Sequence, residues 1–217
     1  KLNIQGEIEK AIGEITGETI DLIASGRTDA GVHSLGQTAN FKTNSKIDVQ
    51  KFPIAINSKL KQSIRIISAE EVDENFHARY DAKSKIYRYK INTREYNPIE
   101  SNYVYQLSKR LDINKMIEAS KLFVGEHDFY NFCGYQESIE KNFVRIIESI
   151  EIKKDDNYAI IEIRGNGFIR YMVRMIVAIL IEIALGKKDE SFIKERLDSN
   201  IKNRSNYKVP GHGLYLV

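Results

Sequence analysis

A single cysteine, Cys133, occurs in the 217 residues, so an internal disulfide is excluded. The N-terminus (KLNIQGEIEK) carries no apolar leader, and together these features point to a reducing compartment, with the cytoplasm as the expected location. With 3 prolines and 13 glycines, collagen-like repeats and Pro-rich linkers are excluded. Long apolar runs are missing too. The longest, Ile176 to Leu185 (IVAILIEIAL), is interrupted by Glu182 and falls well short of the about 20 residues a spanning helix needs. It reads as a buried core helix, and no membrane partner is expected. The four histidines (His33, His77, His127, His212) and Cys133 show no HExxH, CxxC or HxxxH spacing, so no metal is expected. Neither a GxSxG elbow nor a GxxxxGK[ST] loop is present.

What is present is the balance of a globular protein, 42% apolar and 29% charged. A chain of this size buries about 70% of its unfolded surface and needs no covalent staples. The 33 basic and 30 acidic residues leave a net charge of +3, which permits a nucleic-acid partner without requiring one.

Helical and extended patterns alternate along the chain. Ile4, Ile8, Ile12 and Ile15 recur at helical spacing behind Asn3 and predict a helix ending near Gly17. Thr19–Ala24 reads as a strand, SGRTDAGVHSLGQ as a glycine-rich loop, and Ala39, Phe41 and Thr43 as a second strand. Asp48 is placed to cap a helix through about Leu60. Strands are expected around Ile64, Ile66 and Val72, and over Phe76–Ile91. A lobe boundary falls between Thr93 and Tyr103. Beyond it come a helix from Asp112 to about Val124, a helix exit at His127-Asp128-Phe129, and a hairpin of Phe143–Lys153 with Tyr158–Arg164. Helices over Phe168–Leu185 and Ser191–Leu197 and a last strand over Val209–Val217 complete the reading. Two halves that each mix helices with hairpin strands indicate an α+β fold, with lobes over 1–97 and 98–217.

Three segments could carry chemistry. In Gly26-Arg27-Thr28-Asp29-Ala30-Gly31-Val32-His33, small residues leave the backbone open to a ligand around one carboxylate. An arginine near a carboxylate favours its ionised form, and a positioned carboxylate can serve as nucleophile, base or electrostatic stabiliser. A structural turn with a surface arginine would look the same from the residues alone. From His77 to Lys90, Arg79, Lys83, Lys85, Arg88 and Lys90 interleave with tyrosines against one acid, Asp81. That pattern suits RNA, where cations meet phosphates and rings meet bases, and equally suits the solvated face of a sheet. Third, Arg164-Gly165-Asn166-Gly167-Phe168-Ile169-Arg170 begins like a dinucleotide fingerprint, but Arg170 holds the third glycine position; phosphate binding at the following helix remains open. Arg174 lies one turn beyond Arg170 in an apolar helix, and a charge there needs an anionic partner.

Taken together, GRTDAGVHSLGQ, FHARYDAKSKIYRY, GEHDFYNF, FVRII, FIRYMVRMIVAILIEIALG and VPGHGLYLV resemble, in order and over nearly the whole chain, the blocks of the TruA-type tRNA pseudouridine synthases. The resemblance implies an isomerase that converts uridines of the tRNA anticodon arm, around positions 38 to 40, into pseudouridine, without metal or organic cofactor. It implies two similar ferredoxin-like, RRM-like lobes sharing a long, mostly antiparallel sheet with a basic cleft between them, in a homodimer. Carried over, Asp29 is the catalytic aspartate, Arg27 the arginine that displaces the uridine, Tyr87 the active-site tyrosine and Arg174 the partner of the aspartate. Leu214 packs on the base, and His77, Arg79, Lys85, Arg88 and Arg170 become RNA contacts. A non-catalytic RNA-binding module on the same scaffold is the alternative. The family opens with a YDGxxFxGWQxQ-type strand; this sequence starts near the first helix and has no tryptophan, so the resemblance leads to the expectation that this opening segment is absent before residue 1. The family's usual extra strand after GLYL is likewise missing, and Ala178 stands where the family has glycine.

Overall fold

The computed structural model describes residues 3–134, 142–198 and 206–217. Among them the helices, in chain order, are α1 (Ile4–Thr16), α2 (Phe52–Asn57), α3 (Ile113–Ser120), α4 (Met172–Ala184) and α5 (Ser191–Leu197). The strands are β1 (Ile23–Ala24), β2 (His33–Ser34), β3 (Ala39–Asn40), β4 (Lys85–Asn92), β5 (Tyr105–Gln106), β6 (Gly125–Asp128), β7 (Val144–Asp155), β8 (Tyr158–Gly165) and β9 (Leu214–Leu216). The fold is α+β. Two compact units are formed, Lys1–Arg27 with Gln37–Ala82, and Thr28–Gly36 with Lys83–Val217.

In the first unit, the Asn3 side chain accepts from the Gly6 N–H at 2.8 Å and starts α1. Gly17 ends it in the left-handed region, at φ 76°, where glycine carries no steric penalty. Ala11 and Ile12 of α1 pack with Ile20, Leu22, Phe52 and Ile56 into a small core. β1 and β3 pair antiparallel. The strand over Thr19–Ala24 shrinks to Ile23–Ala24, and the helix expected to reach Leu60 ends at Asn57. No strand forms around Ile64, Ile66 and Val72, because the Asn57 amide takes both Ile66 backbone groups, accepting from its N–H and donating to its carbonyl, each at 2.8 Å. The long strand from Phe76 begins only at Lys85. Residues 76–81 turn instead, with the His77 N–H donating to the Asp81 carboxylate and the His77 ring accepting from the Arg79 and Tyr80 N–H groups. Local side-chain bonds of this kind compete with a ladder.

The second unit is built on a seven-stranded mixed sheet in the order β2-β9-β4-β8-β7-β6, with β5 also on β4. β4 is its centre. It pairs antiparallel with β8 over its full length, while β9 and β5 share its other edge. Only β2–β9 and β4–β5 are parallel. Period-two alternation sends Tyr87, Tyr89 and Ile91 of β4 and Ala159, Ile161 and Ile163 of β8 into one core with Met116 and Phe123. α4 supplies most of the rest of that core, and among its 13 residues only Arg174 and Glu182 escape full burial. No described helix is long and apolar enough to cross a membrane. α4 starts at Met172 rather than Phe168, since Tyr171 takes a left-handed backbone at φ 68°. His127 and Asp128 lie on edge strand β6, not at a helix exit. The strand expected over Val209–Val217 keeps only Leu214–Leu216, because Gly211–Gly213 form a turn of 3-10 helix pressed onto Tyr89.

Gly165 ends β8 where β7 shifts register between Ile147 and Ser149. A Cβ there would stand 2.6 Å from the Ile146 carbonyl oxygen, a backbone atom that cannot swing aside. Gly165→Ala is expected to lower stability by about 1–3 kcal/mol through overpacking, read as a lower urea midpoint at unchanged slope.

Candidate active site

The loop bearing Asp29 is fastened at its far end by the sheet. β2 pairs with β9, and the Leu35 N–H donates to the Leu216 carbonyl at 2.7 Å. Between Asp29 and β2 the chain makes a tight turn, the Val32 N–H donating to the Asp29 carbonyl at 3.1 Å, with Gly31 at φ 80°. Gly211 lies close against it: a Cβ there would sit 2.9 Å from the Ala30 carbonyl oxygen. The turn before β9 and the Asp29 turn are therefore packed backbone to backbone.

The Asp29 carboxylate meets the first turn of α4. Arg174 Nη1 donates to Asp29 Oδ2 at 3.0 Å, and Arg170 Nε stands 4.0 Å from Oδ1. The side chains are 22% exposed for Asp29, 11% for Arg174 and 50% for Arg170. Arg174 is fixed a second time, since its Nε donates to the Val209 carbonyl at 2.9 Å and the Val209 N–H donates back to the Arg174 carbonyl. A charge in an apolar helix thus has a counter-ion on one nitrogen and a carbonyl acceptor on another.

Tyr87 lines the same region from β4. Its ring meets Phe168 edge to face at 5.2 Å. Burial, with the Asp29 negative charge adding to it, pushes the Tyr87 phenol up to about 12. Burial also pushes the His212 imidazole down, helped by the positive surroundings of His33 and Arg174.

Other residues singled out from the sequence have different settings. Leu214 is buried opposite Tyr89 in the β4–β9 ladder. Arg88 pairs across the sheet with Glu162 of β8, its direct register partner. Lys85 faces Gly165 at the end of β4. Arg27, His77 and Arg79 belong to the first unit; Arg27 and Arg79 are exposed, and the His77 ring stacks on Tyr80 at 4.1 Å. Residue-by-residue reading missed Tyr171, Lys208 and Val209. Tyr171 was signalled only by an aromatic standing beside Arg170 in FIRYMVR, and Val209 by nothing, because it acts through its backbone. No cluster of three or more histidine, cysteine, aspartate or glutamate side chains suited to a metal occurs among the described residues.

The family model described as tRNA pseudouridine synthase matches residues 1–81 and 119–217. A protein of Clostridium perfringens named tRNA pseudouridine synthase A 2 is 44% identical over 214 residues, 98% of this chain and 87% of the relative. A Thermoanaerobacter protein named tRNA pseudouridine synthase A is 40% identical over 217 residues, 100% of this chain and 88% of the relative. One from Bacillus cereus, named tRNA pseudouridine synthase A 2, is 41% identical over 214 residues, again 98% and 87%. Matched over most of its length by the family model and over almost all of it by these relatives, the chain belongs to the tRNA pseudouridine synthase family and is an isomerase.

Proposed function

We propose that Asp29 is the catalytic carboxylate of a uridine-to-pseudouridine isomerisation in the anticodon arm of tRNA, around positions 38 to 40. The observation that carries this reading is the Asp29–Arg174 pair at 3.0 Å, a carboxylate held on a glycine-flanked loop by a twice-anchored arginine. A binding surface for RNA has no use for a carboxylate that would repel phosphate. The reaction breaks the C1′–N1 bond and forms C1′–C5; a proton leaves C5 and one is returned to nitrogen. No electrons are exchanged, so no redox partner is called for.

Asp29 serves either by attacking C1′ or by removing the C2′ proton, and both routes need it ionised and aimed. Tyr87 stacks on the uracil and assists loss of the C5 proton. Arg27 takes the place of the extruded base, since C1′ and C5 are out of reach in a stacked helix. Leu214 packs near the base, while His77, Arg79, Lys85, Arg88 and Arg170 lie toward the RNA. The wider reading keeps two similar ferredoxin-like lobes over 1–97 and 98–217, a homodimer and a cytoplasmic setting.

Asp29→Ala is expected to abolish pseudouridine formation in unmodified tRNA while filter binding of that tRNA persists. Product from the variant at the parent's rate would sink the reading, and binding without product from both proteins would favour an RNA-binding module. Arg174→Lys cannot span Asp29 and the Val209 carbonyl together. Single-turnover rates should fall about 10- to 100-fold, the cost of a misplacement of about 1 Å. With the folded-state value raised above the ordinary phenol, Tyr87 remains protonated while exposed tyrosines ionise, and its share of stability is lost as pH rises from about 10 towards 12. The tyrosine Cζ resonance that disappears in Tyr87→Phe should therefore hold its position to about pH 11. Movement near pH 10 would contradict the buried placement.

A further inference from the structure

Tyr171 is the most unusual residue around the site. It precedes α4 in the left-handed region, φ 68° and ψ −3°, which a bulky side chain adopts at a steric cost. No side-chain cap bond explains that conformation. What the conformation achieves is to place the ring among three cations: the Lys208 ammonium lies 4.1 Å from the ring centroid, and the guanidinium carbons of Arg170 and Arg174 lie 4.7 and 5.2 Å from it. Arg170 Nη2 also donates to the Tyr171 hydroxyl at 2.8 Å. Gly134 packs against the ring, where a Cβ would stand 2.1 Å from one ring carbon and 2.6 Å from the next. The Gly134 N–H donates to the Arg170 carbonyl at 2.8 Å, so the glycine is tied to the same segment.

We propose that Tyr171 is a positioning residue of the isomerase: its ring holds the Arg170 and Arg174 guanidinium groups against Asp29, and Gly134 is required because it gives the ring its place. The inference rests on Asp29 being the catalytic carboxylate. Arg170, Arg174 and Lys208 repel one another, and Asp29, the carboxylate paired with Arg170 and Arg174 among the described residues, offsets one charge of the three. The negative face of an aromatic ring supplies the remaining attraction without adding a second carboxylate that would repel RNA. A flat ring also limits where a planar guanidinium can lie, so the ring fixes orientation as well as distance.

Tyr171→Asn separates this role from a structural one. Asparagine adopts the left-handed conformation more readily than tyrosine, so the melting temperature should hold or rise. Without the ring, kcat should fall about 10-fold or more with KM within about threefold, as loss of positioning alone predicts. Tyr171→Phe keeps the ring and should restore kcat to within about threefold of the parent. Gly134→Ala should displace the ring and reproduce the Asn phenotype, and combining the two changes should add little to either alone. A second readout does not depend on activity. In NMR spectra of the parent, the side-chain protons of Arg170, Arg174 and Lys208 should carry ring-current shifts that vanish in Tyr171→Asn and survive in Tyr171→Phe. Unchanged arginine signals in the Asn variant would overturn the proposal. So would a loss confined to KM, which would make the ring an RNA contact instead. An inactive parent would count against the catalytic reading of Asp29, and the NMR comparison would still decide whether the ring holds the arginines.

Discussion

Arg174 and Asp29 define the rest of the second unit because neither charge can be where it is without the other. Arg174 lies in the first turn of a helix whose other residues are almost all buried, and its side chain is only 11% exposed. Removing one member of a buried pair costs about 3–5 kcal/mol, and a partly exposed pair less, because the charge left behind has lost its water. The pair is 145 residues apart in sequence. Bringing it together therefore requires the loop, the sheet and the helix to be in register at once.

The sheet provides that register. β9 is the shared element: it pairs with β4 on one side and with β2, directly downstream of Asp29, on the other. The same terminal segment supplies the Val209 carbonyl to Arg174 and the Gly211 backbone to the Asp29 turn. Three residues of strand thus align both partners of the ion pair. The Tyr89 hydroxyl, donating to the Pro210 carbonyl at 2.7 Å, locks the approach to that strand onto the centre of the sheet. Small residues are concentrated where backbones must touch, at Gly31, Gly211 and Gly213, which is where side chains would hold the chains apart.

Periodicity made the central elements legible. The alternation in KIYRYKIN and YAIIEIRG marks β4 and β8, and the apolar run after Arg174 marks α4. What stayed hidden was decided by side chains bonding to backbone. Ile64–Val72 has a strand's composition, yet Asn57 occupies the Ile66 backbone groups. Phe76–Tyr80 has a strand's aromatics, yet His77 and Asp81 fold it into turns. Composition does not encode such bonds, since they depend on where a single polar side chain stands relative to the backbone nearby. In the site, the need of Arg174 for an anion could be read from its apolar neighbours. That the anion is Asp29 came from resemblance, because spacing says nothing about two residues joined only through a sheet.

The modest net charge of +3 also takes on a different meaning once the charges are located. Arg88 pairs with Glu162 and Lys61 with Glu7, so part of the basic composition is engaged in ion pairs. Around Tyr171, by contrast, Arg170, Arg174 and Lys208 gather about one ring, and among the described residues Asp29 is the carboxylate paired with Arg170 and Arg174, so positive charge is locally in excess there. An excess confined to one partly desolvated place produces a stronger field there than the same charge spread over the surface. For a polyanion, that field is attractive. The carboxylate can stand in the midst of it because the surplus of positive charge outweighs its own repulsion. Overall composition gives no hint of such surroundings.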